Sequence, residues 1–166
     1  SAGFFAYVTV SPSVLREIYG ISAFGYGLVF AFLAFCFVIS NLIAGQLVIR
    51  VGQFLVIAIG EIMVVLAGGI MLVLSILGVG GPFTIIIPTA IYFFGIGWIV
   101  PQSNARALQP FENSAGTASA LLGFISMIIS ALMGFSLSFV IHEDATYLAF
   151  AMLVSSFISF LIYFLI

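Results

Sequence analysis

Residues 26–49 read YGLVFAFLAFCFVISNLIAGQLVI, with no Asp, Glu, Lys, Arg or His among them. A helix rising about 1.5 Å per residue needs roughly 20 apolar residues to cross about 30 Å of hydrocarbon. A barrel strand needs only about 9–11 and alternates apolar with polar positions. The quoted stretch is too long for such a strand and shows no alternation. Working outward, comparable runs recur at 54–77, 83–103, 115–141 and 146–166. The sequence therefore predicts an all-α, polytopic membrane helical bundle with five full spans.

Composition agrees. Of 166 residues, 64% are hydrophobic and 5% charged, with a mean hydropathy of +1.43. A soluble domain averages about 45–50% apolar and about 25% charged, so eight charges cannot clothe this chain in water. One cysteine, Cys36, excludes a disulfide scaffold and reads as an apolar filler. Three basic residues against a net charge of -2 leave no footprint for nucleic acid. The expected solvent is the lipid bilayer.

Residues 1–11 are apolar and helix-compatible but supply only about half a crossing before Pro12. The last run stops at Ile166 without a polar or basic anchor. The expectation is a piece of a longer chain, with the exit half of another span at 1–11. The links at 50–53 and 78–82 are short and force antiparallel neighbours. Longer links are expected at 12–25, 104–114 and 142–145. Basic residues in short loops set orientation: Arg50 and Arg106 are placed in the cytoplasm, with Arg16, Glu17, His142, Glu143 and Asp144 opposite.

Helices in lipid associate by close packing at small side chains, because tails are as apolar as leucine. Run 115–141 carries Gly116, Ser119, Gly123, Ser126, Ser130, Gly134 and Ser138 at helical steps of three and four. Run 26–49 repeats the device with Gly27, Ala31, Ala34, Asn41 and Gly45. Ordinary packing within the bundle explains either stripe by itself. The sharper reading makes both stripes docking faces for helices outside this chain.

Pro101-Gln-Ser-Asn-Ala-Arg-Ala107 followed by Ala115-Gly-Thr-Ala-Ser-Ala-Leu-Leu-Gly123 resembles a signature of the Bcr/CflA drug-resistance transporters, within the major facilitator superfamily. Phe5-Ala-Tyr7, Ser11-Pro12, Tyr19-Gly20, Phe24-Gly25 and Gly45-Gln-Leu-Val-Ile-Arg-Val-Gly52 extend the likeness. The last of these resembles the second-half copy of the superfamily's Gly-x-Leu-x-x-x-Arg-x-Gly loop motif. The resemblance implies the carboxy-terminal half of a twelve-helix transporter, from a partial seventh helix to the twelfth. It implies proton-coupled efflux of small apolar or cationic drugs, an antiporter of the bacterial inner membrane conferring antibiotic resistance. The amino-terminal half is the implied partner. The proton gradient supplies the energy, and no cofactor is expected.

Under that resemblance Gly45, Arg50 and Gly52 form a conformational latch, and Arg50 also serves as a positive-inside anchor. Tyr7, Asn41, Tyr92 and Trp98 are the candidates for a substrate cavity, because aromatic faces hold flat apolar or cationic compounds without strict geometry. Their bland alternative is simple packing in an aromatic-rich chain. Ser126 joins them as the position where relatives often carry Gln in the eleventh helix. Gly95, Gly97 and Pro101 interrupt run 83–103 and are expected to mark bending or access.

Glu61 is the sole acid inside an apolar run. A carboxylate in lipid is costly and suits a proton relay; the structural alternative, favoured here, is pairing with a neighbouring helix or reaching toward the cytoplasmic interface near Arg50. Arg106 with Glu112 reads as an interfacial pair, and His142-Glu143-Asp144 as a solvated turn rather than a metal site. No HExxH, Gly-x-Ser-x-Gly or Gly-x-x-x-x-Gly-Lys motif occurs, so an ATP-driven pump is excluded and an enzyme is not expected. Two competing readings keep the helices: a non-transporting membrane module, and a sugar or metabolite efflux carrier.

Overall fold

The computed structural model describes residues 2–78, 81–140 and 145–165. His142, Glu143 and Asp144 lie outside the described residues, as do the side chains of Glu112 and Ser138. Six helices follow one another: α1 (Ala2–Ser13), α2 (Ala23–Val51), α3 (Gln53–Leu77), α4 (Phe83–Leu108), α5 (Ala115–Val140) and α6 (Ala145–Leu165). Five of them, all but α1, contain stretches long and apolar enough to cross a membrane. No strand occurs among the described residues.

Local chemistry sets most boundaries. Ser22 caps α2, its hydroxyl accepting from the Gly25 N–H at 3.1 Å. A single residue, Gly52, joins α2 to α3 at φ +84° and ψ 160°, a backbone region open essentially to glycine alone. Gly78 closes α3 in the left-handed conformation. Two expected links are instead largely helical. Helix α1 passes through Pro12 and continues as a π-helical turn, Val14–Ile18. Proline removes one N–H from the ladder, and the wider turn re-registers the chain with the Tyr19 N–H on the Val14 carbonyl at 3.3 Å. Helix α4 likewise runs through Pro101 into a 3₁₀ segment, Gln109–Ser114.

Helix α4 is the hub, with α3 along one side and α2 along another. Helix α6 packs on α3, whereas α5 leans chiefly on α1, which also touches α6. The crossings form where glycine permits close approach. A Cβ on Gly60 would lie 3.0 Å from the Gly95 carbonyl, and one on Gly95 would lie 3.0 Å from the Gly60 carbonyl. Gly68 faces the Leu153 backbone of α6, and Gly97 faces Ser40 and the Phe37 carbonyl of α2. Gly95 and Gly97 thus serve close contacts, in a helix that is continuous throughout Phe83–Leu108. The main core gathers Tyr7, Leu33, Met71, Ile85, Phe93 and Met152 from five helices.

Candidate functional site

Three serines in the apolar run of α6 build a polar site inside the bundle. Ser155 and Ser156 turn their hydroxyl protons back onto their own helix, donating to the Met152 carbonyl at 3.0 and 2.6 Å. Ser159, one turn on from Ser155, leaves its helix and donates to Glu61 Oε1 of α3 at 2.8 Å. Glu61 is 2% exposed, and its second oxygen, Oε2, is buried without a hydrogen-bond partner. Across from α6, Tyr92 of α4 is buried and bonds Ser155. Gly3 of α1 makes room for that pair, since a Cβ there would collide with both hydroxyl oxygens.

Gly3, Tyr92 and the three serines, though not Glu61, border a cavity of about 280 Å³ reached by Ser126 of α5 and walled by Val64, Ile96 and Ile129. A second cavity of about 320 Å³ opens on the other side of Ser126, between α5 and the end of α4, and includes Phe5, Asn104, Ser119, Gly123 and Ser130. Of the five cavity candidates from sequence, the structure brings Tyr92 and Ser126 to one cavity. Tyr7 is fully buried beside it, edge-on to Phe93 at 5.5 Å. Trp98 packs with Ala44 and Val56 in a small core between α2, α3 and α4. Asn41 donates to the Phe37 carbonyl of its own helix at 2.8 Å.

The small-residue stripes part company. On α5, Ser130 is buried and Gly134 faces Thr9 of α1, whereas Gly116 and Gly123 have nothing within 4 Å of a Cβ. On α2, Gly27 and Gly45 are equally open, Ala31 and Ala34 are exposed, and the buried positions are Leu33, Ser40 and Ala44 on another face. Ala34 lies in an apolar groove with Phe5, Phe30 and Phe37.

At the end carrying Arg50 and Arg106, side chains tie three helices together. Gln53 donates to the Gln102 carbonyl at 2.6 Å, and the Tyr163 hydroxyl to the Phe54 carbonyl at 2.9 Å. Arg106 lies close enough to Tyr163 to act on it electrostatically. Arg50 is exposed on the last turn of α2, directly before the Gly52 junction. Both basic residues therefore share one end, as their loop positions require.

Sequence reading missed Ser155, Ser156, Ser159 and Gly3. A signal existed for the serines: hydroxyls at i, i+1 and i+4 in a membrane-length apolar helix invite a polar partner. Among the described residues no three His, Cys, Asp or Glu side chains gather in a group fit for a metal.

No family model matches the chain, and no solved structure matches it. Among curated proteins it is similar to multidrug resistance protein D of Escherichia coli (strain K12), at 39% identity over 56 residues. That match covers 34% of this chain and 14% of the relative. It is also similar to the uncharacterized MFS-type transporter YdgK of Bacillus subtilis (strain 168), at 26% identity over 134 residues. The second match covers 79% of this chain and 32% of the relative, so the chain spans about a third of that protein. Both likenesses support the major facilitator type and neither carries the finer Bcr/CflA assignment. With its five apolar helices, the chain is an integral membrane protein.

Proposed function

We propose that residues 1–166 are the carboxy-terminal half of a secondary transporter that exports small apolar or cationic drugs in exchange for protons. The observation that carries this reading is the pair of open small-residue faces on α2 and α5, where a Cβ on Gly27, Gly45, Gly116 or Gly123 would meet nothing within 4 Å. A bundle with no further partner gains nothing from such faces, since in lipid it is close packing that small residues provide. The amino-terminal half is the partner assigned to them.

The two halves rock about a midplane cavity and expose it to each side in turn. Substrate and ion drive that exchange through their different affinities for the two states. The proton gradient is the energy source, and the coupling carboxylates belong to the amino-terminal half. Glu61, hydrogen-bonded to a neighbouring helix, is assigned a holding role rather than the coupling role. Gly45, Arg50 and Gly52 act as the latch, with Gly52 the one-residue joint between two spans. The bacterial inner membrane is the proposed location.

Drug accumulation in cells carrying the full-length protein tests the reading. Export of several chemically distinct compounds is expected, collapsing when a proton ionophore is added. Unchanged sensitivity to all of them would count against drug efflux, and selective loss of a sugar or metabolite would favour the carrier alternative.

A further inference from the structure

The cavity between α1, α4, α5 and α6 has a chemical bias that the transport reading leaves unused. Five hydroxyl-bearing side chains line it, Tyr92, Ser126, Ser155, Ser156 and Ser159, and none of the described residues in its lining is charged. Glu61 takes a hydrogen bond from Ser159 but is itself 2% exposed and absent from the lining. A hydroxyl both donates and accepts. A ligand in this space therefore meets hydrogen-bonding groups of either sense and no counter-ion.

Charge and size narrow the choice. A cation entering here would shed water without finding an anion, and an unpaired buried charge is costly. Aromatic cages can hold an ammonium instead, but Tyr92 is the one ring on this wall. Val64, Ile96, Ile129 and Ile162 supply apolar surface for a hydrocarbon body. The volume of about 280 Å³ lies at the small end of ligand pockets, which run from about 300 to 1,000 Å³. The neighbouring cavity shares Ser126 and adds Asn104 and Ser119, again with no charged residue among those described. Neither space selects for charge.

We propose that the cavity beside Tyr92 and Ser126 binds a small uncharged molecule joining a hydroxyl to an apolar body, and rejects the protonated amine of the same shape. Such a compound is one class of the apolar cargo assigned above, so its export rests on that reading, whereas its binding does not.

The experiment uses the full-length protein in lipid nanodiscs. Tritiated 3-phenylpropan-1-ol is the probe in equilibrium dialysis, with uptake by empty nanodiscs subtracted. Saturable binding of the alcohol is expected, and its cavity component is the part lost in the cavity-filling Ser126→Leu. Tritiated 3-phenylpropylamine, protonated at pH 7, should show that component about tenfold more weakly or not at all. Tyr92→Phe removes one hydroxyl and should weaken alcohol binding about threefold to tenfold. It decides the matter if Ser126→Leu does not fold. Three results overturn the proposal: no saturable alcohol binding, alcohol binding unchanged in the variants that fold, or a cavity component as tight for the amine as for the alcohol. Alcohol binding without any drug export overturns the transport reading alone. Drug export without saturable alcohol binding overturns this proposal alone.

Discussion

Two sets of glycines divide the molecule. Gly60, Gly68, Gly95 and Gly97 sit at the α3–α4, α3–α6 and α2–α4 crossings, where a Cβ would press on backbone or side chain. Gly27, Gly45, Gly116 and Gly123 lie on equally apolar helices where a Cβ would meet nothing within 4 Å. Residue type and setting in sequence are alike, yet one set is consumed by the fold and the other is left over. The lesson is that small residues mark a possible close approach without saying whose helix makes it. Only the left-over set argues for a partner outside the chain.

The sharpest way to break this comparison is to fill both sets with the same side chain in the full-length protein. At the crossing, Gly95→Leu is expected to cost about 3 kcal/mol, near the upper end for overpacking, because the Gly60 carbonyl and Val64 leave it no room. Melting temperature and membrane yield report it, and wild-type values for both would show that the crossing is looser than described.

On the open faces, Gly27→Leu and Gly116→Leu should insert normally while export falls about tenfold, equivalent to about 1.4 kcal/mol. Full export would mean that these faces meet acyl chains, and the half-transporter reading would lose its main support.

Glu61→Gln probes the α3–α6 contact at its polar point. The amide can still accept from Ser159, so the expected destabilisation is about 1 kcal/mol. Proton-coupled export of an uncharged drug should persist at least in part. Complete loss with normal insertion would move Glu61 from holding helices to carrying protons.

The smallest effect belongs to Tyr163→Phe, which removes one hydrogen bond to the Phe54 carbonyl at the exposed end of the bundle. It should lower stability by about 0.5–1.5 kcal/mol and leave export intact. A larger drop in export than in melting temperature would give this end a role in the conformational cycle.

Much of this was legible beforehand in particular residues. Long apolar runs located α2 to α6, and Arg50 and Arg106 were placed at one end. Pro12 misled, because a proline near a helix end can be absorbed by a π-helical turn, which no periodicity reveals. Gly95 and Gly97 left their contact role unread: glycine is equally compatible with a bend and with a close contact. Within the site, Tyr92 and Ser126 were named and meet at one cavity, whereas Ser155 and Ser159 went unnamed. A serine in an apolar helix declares a need for a partner but not its address.

Hydropathy by itself determined the solvent, the spanning helices and their number, since each depends on apolar length summed along the chain. Which helix faces which was decided in three dimensions. Rotation about each helix axis is set by its neighbours, and a one-dimensional pattern of small residues fits several rotations equally well. Only the packed bundle could separate the glycines already spent on contact from those still facing outward, and join the Glu61 carboxylate to a hydroxyl on α6.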